Sequence, residues 1–592
     1  SQVGKEYKSI FVPVNNTKEV GDWTADYYKL ENENDTMHIN HILQLLEDDV
    51  YLPDEKQREE YILNDFGEIY QGSAEQINTK PWKFGQFNKY MLPTITFLLE
   101  SYGLSYEQLS NATLISRAIS SVTNANDISE TRRGIIVGNW GDNFEPYAPP
   151  GYWKGSVEII KQFYESHFRP VRYGQCWVFA CTATSLARAI GLPARPVTCF
   201  GSRHDADESL TIDTFFDEDG EPIESMNGIE MAWNFHAWTE VWMKRTDLPN
   251  GYGGWQAIDA TPQERSDGLS QAGPVSLFAV RTGEISKKFD TAFAYGEVDG
   301  ILVHWHRNKS SDLGWTRVVP LNIPTTIYTK GIGQFSEDEN SLVDVTNNYK
   351  YPEGSIERQM ARLKARQNRG LKFVFGDSAV IELVDFNLTA DRVMIGEPFK
   401  VKLEISNKNN RVVKISSMLN VKSTHYNGGI AADIVKNRND FSIASNGSVT
   451  HEITVVADEY LHKLVPFNSI KIYAIVMVES EKIWSQEKSF VISQPRLNMS
   501  VSGHMRVGEV VLLNVSFTNP LNKQLTNSVL SIEAGDVQII KEFGNIGAKQ
   551  TFSYIASVRL TKAEYETIVA SFDSSELKDI HGYLTMAVSN ND

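Results

Sequence analysis

The sequence predicts a multidomain protein, with one α+β unit followed by two all-β domains. Three observations carry this reading. At 592 residues the chain exceeds what a single core usually organises. From about residue 46 to 350, helical and strand spacings alternate. From about 373 onward the spacing is almost purely period 2, and its text repeats after 112 residues.

The elements follow in order. Residues 1–45 contain short strand-like runs such as Tyr7 to Val14, too few to bury a sheet, and read as the remnant of an N-terminal β-sandwich. The chain starts at Ser1 without Met, which reads as trimming. Residues 46–353 form the α+β unit. Within it, 176–190 carry helix formers with apolar residues at helical spacing, and Gly191 and Pro193 stand where a helix stops. Residues 354–372 are basic and helix-like (Arg358, Arg362, Lys364, Arg366, Arg369, Lys372) without an apolar cluster, and read as an exposed connector. In 373–493, Phe399, Val401, Leu403 and Ile405 alternate with Lys400, Lys402 and Glu404. Ile395-Gly396-Glu397, running to Ile405-Ser406-Asn407, is echoed by Val507-Gly508-Glu509, running to Phe517-Thr518-Asn519. The echo makes 494–592 a second sandwich or barrel of about the same immunoglobulin-like size.

Composition excludes several classes. A net charge of −18 argues against nucleic acid or an anionic membrane as partner, and suits a protein that holds cations. No apolar run approaches a membrane span. Cys176, Cys181 and Cys199 lie within 24 residues, so no disulfide framework exists, and their spacing lacks the paired set of a zinc site. Eight Asn-x-Ser/Thr sequons (Asn15, Asn34, Asn111, Asn308, Asn387, Asn446, Asn498, Asn514) fit chance or a secretory route, and tilt the location toward secreted over cytoplasmic.

The chemistry centres on Tyr173-Gly174-Gln175-Cys176-Trp177-Val178-Phe179-Ala180, which sets a thiol at the mouth of a helix. There the positive end of the macrodipole favours a thiolate, and free backbone N–H groups can bind an oxyanion. Cys181, one turn in, and Cys199, in an apolar strand, read as structural. His236 lies in the strand-like run Trp233 to Met243, and Asp259 in the next, 255–260. Two adjacent antiparallel strands could pair them as base and orienter. Taken alone, a core histidine and a turn-capping aspartate would explain them better.

Tyr173 to Ala180, Trp233 to Trp238 and Gly254 to Gln263 together resemble the animal transglutaminase family. The resemblance extends through Ile69 to Ala74, Pro81 to Phe87 and Tyr349 to Ser355, and covers nearly the whole chain. It implies a papain-like core with a Cys176–His236–Asp259 triad. Its implied activity is calcium-dependent acyl transfer from protein glutamine to lysine or another primary amine through a Cys176 thioester, releasing ammonia, with an extracellular clot or gel as one setting. It also implies that the Trp140 indole N–H stabilises the oxyanion, and that Trp140 and Trp233 wall the tunnel for the incoming lysine. Glutamine- and lysine-bearing proteins are the implied partners, and a homodimer is a further family trait. Two other readings use the same core: a glutamine deamidase or amide hydrolase, and a catalytically weak scaffold.

Tyr426 lies in the turn-like His425-Tyr426-Asn427-Gly428-Gly429, and the resemblance makes it a latch on the cysteine. Asp205, Asp207, Ser209 and Thr211 supply oxygens at alternate positions, with Glu230 further on, a donor pattern suited to Ca²⁺. The resemblance supports that site and adds a second at Asn124, Asn126 and Asp127. A third falls at Asp299 and Glu353, but here Ile301 and Arg358 take two of its four places. An alkyl group and a guanidinium cannot coordinate calcium, so weak or absent binding is expected unless Glu357 substitutes.

Overall fold

The computed structural model describes residues 48–141, 143–227, 230–309, 311, 313–320, 325–333, 341–369, 381, 383–534, 537–561 and 564–590. The proposed N-terminal remnant lies outside the described residues.

Helix α1 (Cys176–Ala189) is the axis of the α+β unit, and all of its residues are buried. Its composition is rich in Ala with few long polar side chains, so it can be enclosed on every side. Helices Met91–Tyr102, Ala112–Thr123 and Ser156–Glu165 pack around it. The helix ends as its text predicts: Gly191 takes φ +83° and donates to the Arg188 carbonyl.

The other side of α1 is covered by an antiparallel sheet. Its strands are β1 (Ala194–Phe200), β2 (Phe235–Met243), β3 (Gly254–Asp259), β4 (Ala272–Ser276), β5 (Thr326–Lys330) and β6 (Leu342–Asp344), in the order β4-β3-β2-β1-β5-β6. Strand alternation gives β2 two different faces. Thr239 turns toward α1 and donates to the Ala180 carbonyl at 2.7 Å. His236, Trp238 and Glu240 point the other way; Trp238 Nε1 donates to Tyr349 Oη at 2.8 Å, and Glu240 accepts from Tyr349 and Arg195. The register sets Cys199 opposite His236 and Ile258 opposite Thr239, so Asp259 ends β3 beside the histidine.

Helix α2 (Thr291–Asp299) crosses this face, and helix α3 (Ile356–Asn368) docks outside it. α3 differs from the exposed connector expected of its sequence. Arg358, Ala361 and Ala365 are buried, and Gly283, at φ +71°, lies so near the Ala361 carbonyl that a Cβ there would come within 2.0 Å. Small residues replace the apolar cluster that the sequence lacks.

Both trailing domains are sandwiches of a three-stranded and a four-stranded sheet. The first pairs Val384–Ala390, Phe399–Asn407 and Ser448–Val455 against Val413–Thr424, Ile430–Ile443, Ser469–Val478 and Lys482–Val491. The second repeats the plan, with Val510–Thr518 in the place of Phe399–Asn407. Among the described residues no helix is long and apolar enough to cross a membrane.

Candidate active site

Cys176 is the first residue of α1 and is completely buried. Gln175 precedes it in extended conformation, and its side chain does not cap the helix; its amide donates instead to the Asn139 carbonyl at 2.8 Å. The Val178 N–H bonds the Gln175 carbonyl at 2.8 Å, whereas the Cys176 N–H stays available to another acceptor. That acceptor comes from the first sandwich. Tyr426 Oη accepts from Trp140 Nε1 at 2.8 Å and from the Cys176 backbone N–H at 3.4 Å. It sits between the two donors assigned to an oxyanion by resemblance. Burial, reinforced by Cys176, raises the Tyr426 phenol well above its usual range, so it is a neutral hydroxyl.

Tyr426 tips the turn between Val413–Thr424 and Ile430–Ile443. Its carbonyl accepts from the Asn234 N–H at 2.7 Å. Gly428, at φ +87°, permits this approach, since a Cβ would lie 2.5 Å from the Ala232 carbonyl. Aromatic rings enclose the tyrosine, with Phe235 at 4.7 Å and Trp177 and Trp233 at 5.7 and 5.8 Å between centroids. Trp233 also meets the His236 ring edge to face at 4.9 Å, and its own indole N–H is buried without a partner.

His236 Nε2 lies 2.7 Å from Asp259 Oδ2, both residues being buried. The other oxygen, Oδ1, accepts the Thr261 N–H at 2.8 Å. Nε2–H thus points to the carboxylate, and among the described residues Nδ1 has no hydrogen-bond partner, which leaves it for the thiol. Burial alone would disfavour the imidazolium, but Asp259 and then Cys176 outweigh it, and the His236 pKa is raised well above its ordinary value.

Two neighbours carried no role in the sequence reading. Gln263 Nε2 lies 2.8 Å from Asp259 Oδ2 and 2.9 Å from Glu297 Oε1. Glu297 Oε1 is itself 3.7 Å from His236 Nε2. Burial, with Asp259 adding to it, pushes Glu297 up to about 8. The motif ending at Gln263 could have flagged the amide. Nothing local to Glu297 marks it, since it arrives on α2.

The cation candidates differ in state. Asp205, Asp207 and Glu230 bring carboxylate oxygens within 4.8 Å of one another. Ser209 and Thr211 adjoin them, hydroxyl to hydroxyl at 3.0 Å, and Asp213, absent from the sequence reading, accepts from Thr211 Oγ1 at 2.9 Å. Burial pushes Asp205 up to about 7, and burial with Asp207 and Asp213 pushes Glu230 up to about 6. Such a hard-oxygen donor set fits calcium, whose charge would relieve that crowding. Asn124, Asn126 and Asp127 converge on Ser270. Both amides donate to it at 2.8 Å, and Asp127 Oδ2 accepts its N–H at 2.6 Å. At the third place Asp299 is gripped by Arg358 at 2.6 Å and Arg362 at 2.9 Å, and Glu353 by Arg358 at 2.8 Å. Burial works against the Asp299 carboxylate, but the two guanidinium groups outweigh it and lower its pKa.

A cysteine at a helix mouth facing a His–Asp pair is the geometry of covalent acyl transfer. Known proteins make the class specific. The sequence model of the transglutaminase-like superfamily matches residues 147–260, which hold Cys176, His236 and Asp259. The hemocyte protein-glutamine γ-glutamyltransferase of Tachypleus tridentatus is 38% identical over 90% of this chain and 70% of its own length. The human coagulation factor XIII A chain is 32% identical over 92% and 73%. The crystal structure of red sea bream transglutaminase superposes with a TM-score of 0.81 at 29% identity, covering 92% of this chain and 80% of that one. The chain belongs to the transglutaminase family and is an acyltransferase of the protein-glutamine γ-glutamyltransferase class.

Proposed function

We propose that this enzyme crosslinks proteins through a Cys176 thioester in a calcium-dependent cycle, with Tyr426 as its latch. The observation that supports it best is the single hydroxyl of Tyr426 shared by Trp140 Nε1 and the Cys176 N–H. Two convergent donors on a buried site are what a tetrahedral oxyanion requires. With the tyrosine withdrawn, a glutamine carbonyl oxygen takes its place.

The Cys176 thiolate then attacks the γ-carboxamide carbon. His236, held as imidazolium by Asp259, gives its proton to the departing nitrogen, the C–N bond breaks, and ammonia leaves. A primary amine enters between Trp140 and Trp233, loses a proton to His236, and displaces the sulfur, forming the isopeptide. The aromatic enclosure excludes water, which would otherwise divert the thioester to glutamate. Asp205, Asp207, Ser209, Thr211 and Glu230, together with Asp213, would hold calcium, which supplies charge to order this loop. We assign a second, weaker place to Asn124, Asn126 and Asp127, and none to Asp299 and Glu353, whose counter-charge is Arg358.

Amine incorporation into a glutamine-bearing protein, followed across a calcium series for the wild type and Cys176→Ala, tests this. Incorporation that rises with calcium and vanishes in the variant is expected. Ammonia release indifferent to added amine would instead favour a hydrolase.

A further inference from the structure

The Gln263 amide nitrogen occupies an unusual position. It lies 2.9 Å from His236 Nε2, 2.8 Å from Asp259 Oδ2 and 2.9 Å from Glu297 Oε1. It therefore fills the centre of a buried triangle of three ionisable groups whose donor atoms lie within 4.8 Å of one another. An amide has two hydrogens and no charge. Each hydrogen satisfies one carboxylate, so two acids coexist beside one imidazole without facing each other directly. A lysine or arginine there would neutralise Asp259 and weaken its hold on the imidazolium. An apolar group would leave Asp259 Oδ2 with one donor and Glu297 buried with a bond unmade.

We propose that Gln263 is a positioning residue for acyl transfer, strapping Asp259 to Glu297 so that the His236 ring keeps one tautomer and one orientation. Gln263 is placed for this by the turn after β3, where its backbone N–H bonds the Thr261 carbonyl at 2.7 Å. Glu297 is placed by α2, which gives the strap a fixed far end independent of the β2–β3 hairpin.

The proposal rests on the acyl-transfer reading above, and its test separates the two. In Gln263→Met, length and bulk are kept but both N–H donors are lost. The turnover number for amine incorporation should fall about 10–100-fold, as losses of outer supporting groups do, with KM for the glutamine and amine substrates within about twofold. Glu297→Gln keeps an acceptor for the amide and should stay within about threefold of wild type, whereas Glu297→Leu should fall with Gln263→Met. If Gln263→Met folds and turns over within about twofold of wild type, or the two Glu297 variants behave alike, the strap is refuted. If Gln263→Met does not fold, the Glu297 pair alone decides. A wild-type enzyme that incorporates no amine at any calcium concentration refutes the underlying reading instead.

Discussion

At the residue scale the site is a set of competitions for a few hydrogens. Tyr426 Oη takes the Trp140 Nε1 and Cys176 N–H donors, and under the proposed function that contact blocks the resting enzyme. Tyr426→Phe should release those donors at a cost of about 1–3 kcal/mol in stability, because buried donors are left without their acceptor. Iodoacetamide should then alkylate Cys176 several-fold faster without calcium; an unchanged rate would count against the latch. Under the proposed function the His236–Asp259 contact fixes the imidazole tautomer. Asp259→Asn should lower the turnover number by roughly 10⁴, the loss that a misplaced imidazole proton causes in a comparable Ser–His–Asp site, while the fold persists by circular dichroism.

Helix α3 shows at the element scale how a sequence departure becomes a structural device. Arg358 stands where the family resemblance would place a calcium ligand, and its guanidinium makes a 2.6 Å bond to the buried Asp299. This ion pair ties α3 to α2, and under the proposed function it stands where the family resemblance would put a calcium ion. Removing it in Arg358→Ala takes the closest counter-charge from a buried carboxylate that Arg362 and the Tyr295 hydroxyl also contact. A loss of about 3–5 kcal/mol is expected in urea unfolding, the usual result of breaking one side of a buried pair. Glu353 is more than half exposed, so Glu353→Ala should leave the calcium dependence of activity unchanged. A marked loss there would restore a cation to this place.

At the scale of the whole molecule, the sheet Thr211–Phe216, Ile301–Arg307 and Trp315–Val318 packs against the first sandwich. His304 and His306 are buried there. His306 stacks on Phe216 at 4.8 Å and His304 Nδ1 meets Ser485 Oγ at 2.7 Å, beside the Lys471–Glu487 pair. Burial pushes both imidazoles down to about 3, with Lys471 adding to it for His304 and His304 for His306. The sign follows from linkage. An exposed histidine takes a proton below about 6.5 and these do not, so separation of the domains binds protons. The contribution of these two histidines should be intact above pH 6.5 and fall on acidification toward pH 3 by about 1.4 kcal/mol per histidine per pH unit, against the opposite slope of the raised Asp205, Glu230 and Glu297 carboxyls. Urea midpoints measured from pH 7.5 to 5 check this. In His306→Phe the acid slope should be shallower, and an equal slope would refute the assignment.

Local text was enough to settle much of this protein. The helix from Cys176, its stop at Gly191, the alternation of Phe399 to Ile405 and the repeat after 112 residues are visible because each depends on neighbours in sequence and on a period of 3.6 or 2. The residue types at 176, 236 and 259 announced a chemistry, and Arg358 is the departure that the structure pairs with Asp299. Contacts between distant segments were decided only in three dimensions. Trp140 and Tyr426 meet across 286 residues and Gln263 and Glu297 across 34, on elements whose approach angle no short window encodes. The burial of α3 likewise needed the backbone of Gly283 beside Ala361. A periodic pattern reports which face of an element is apolar. Which hydroxyl, amide or guanidinium arrives at that face is set by the packing of whole layers, and so belongs to the tertiary structure alone.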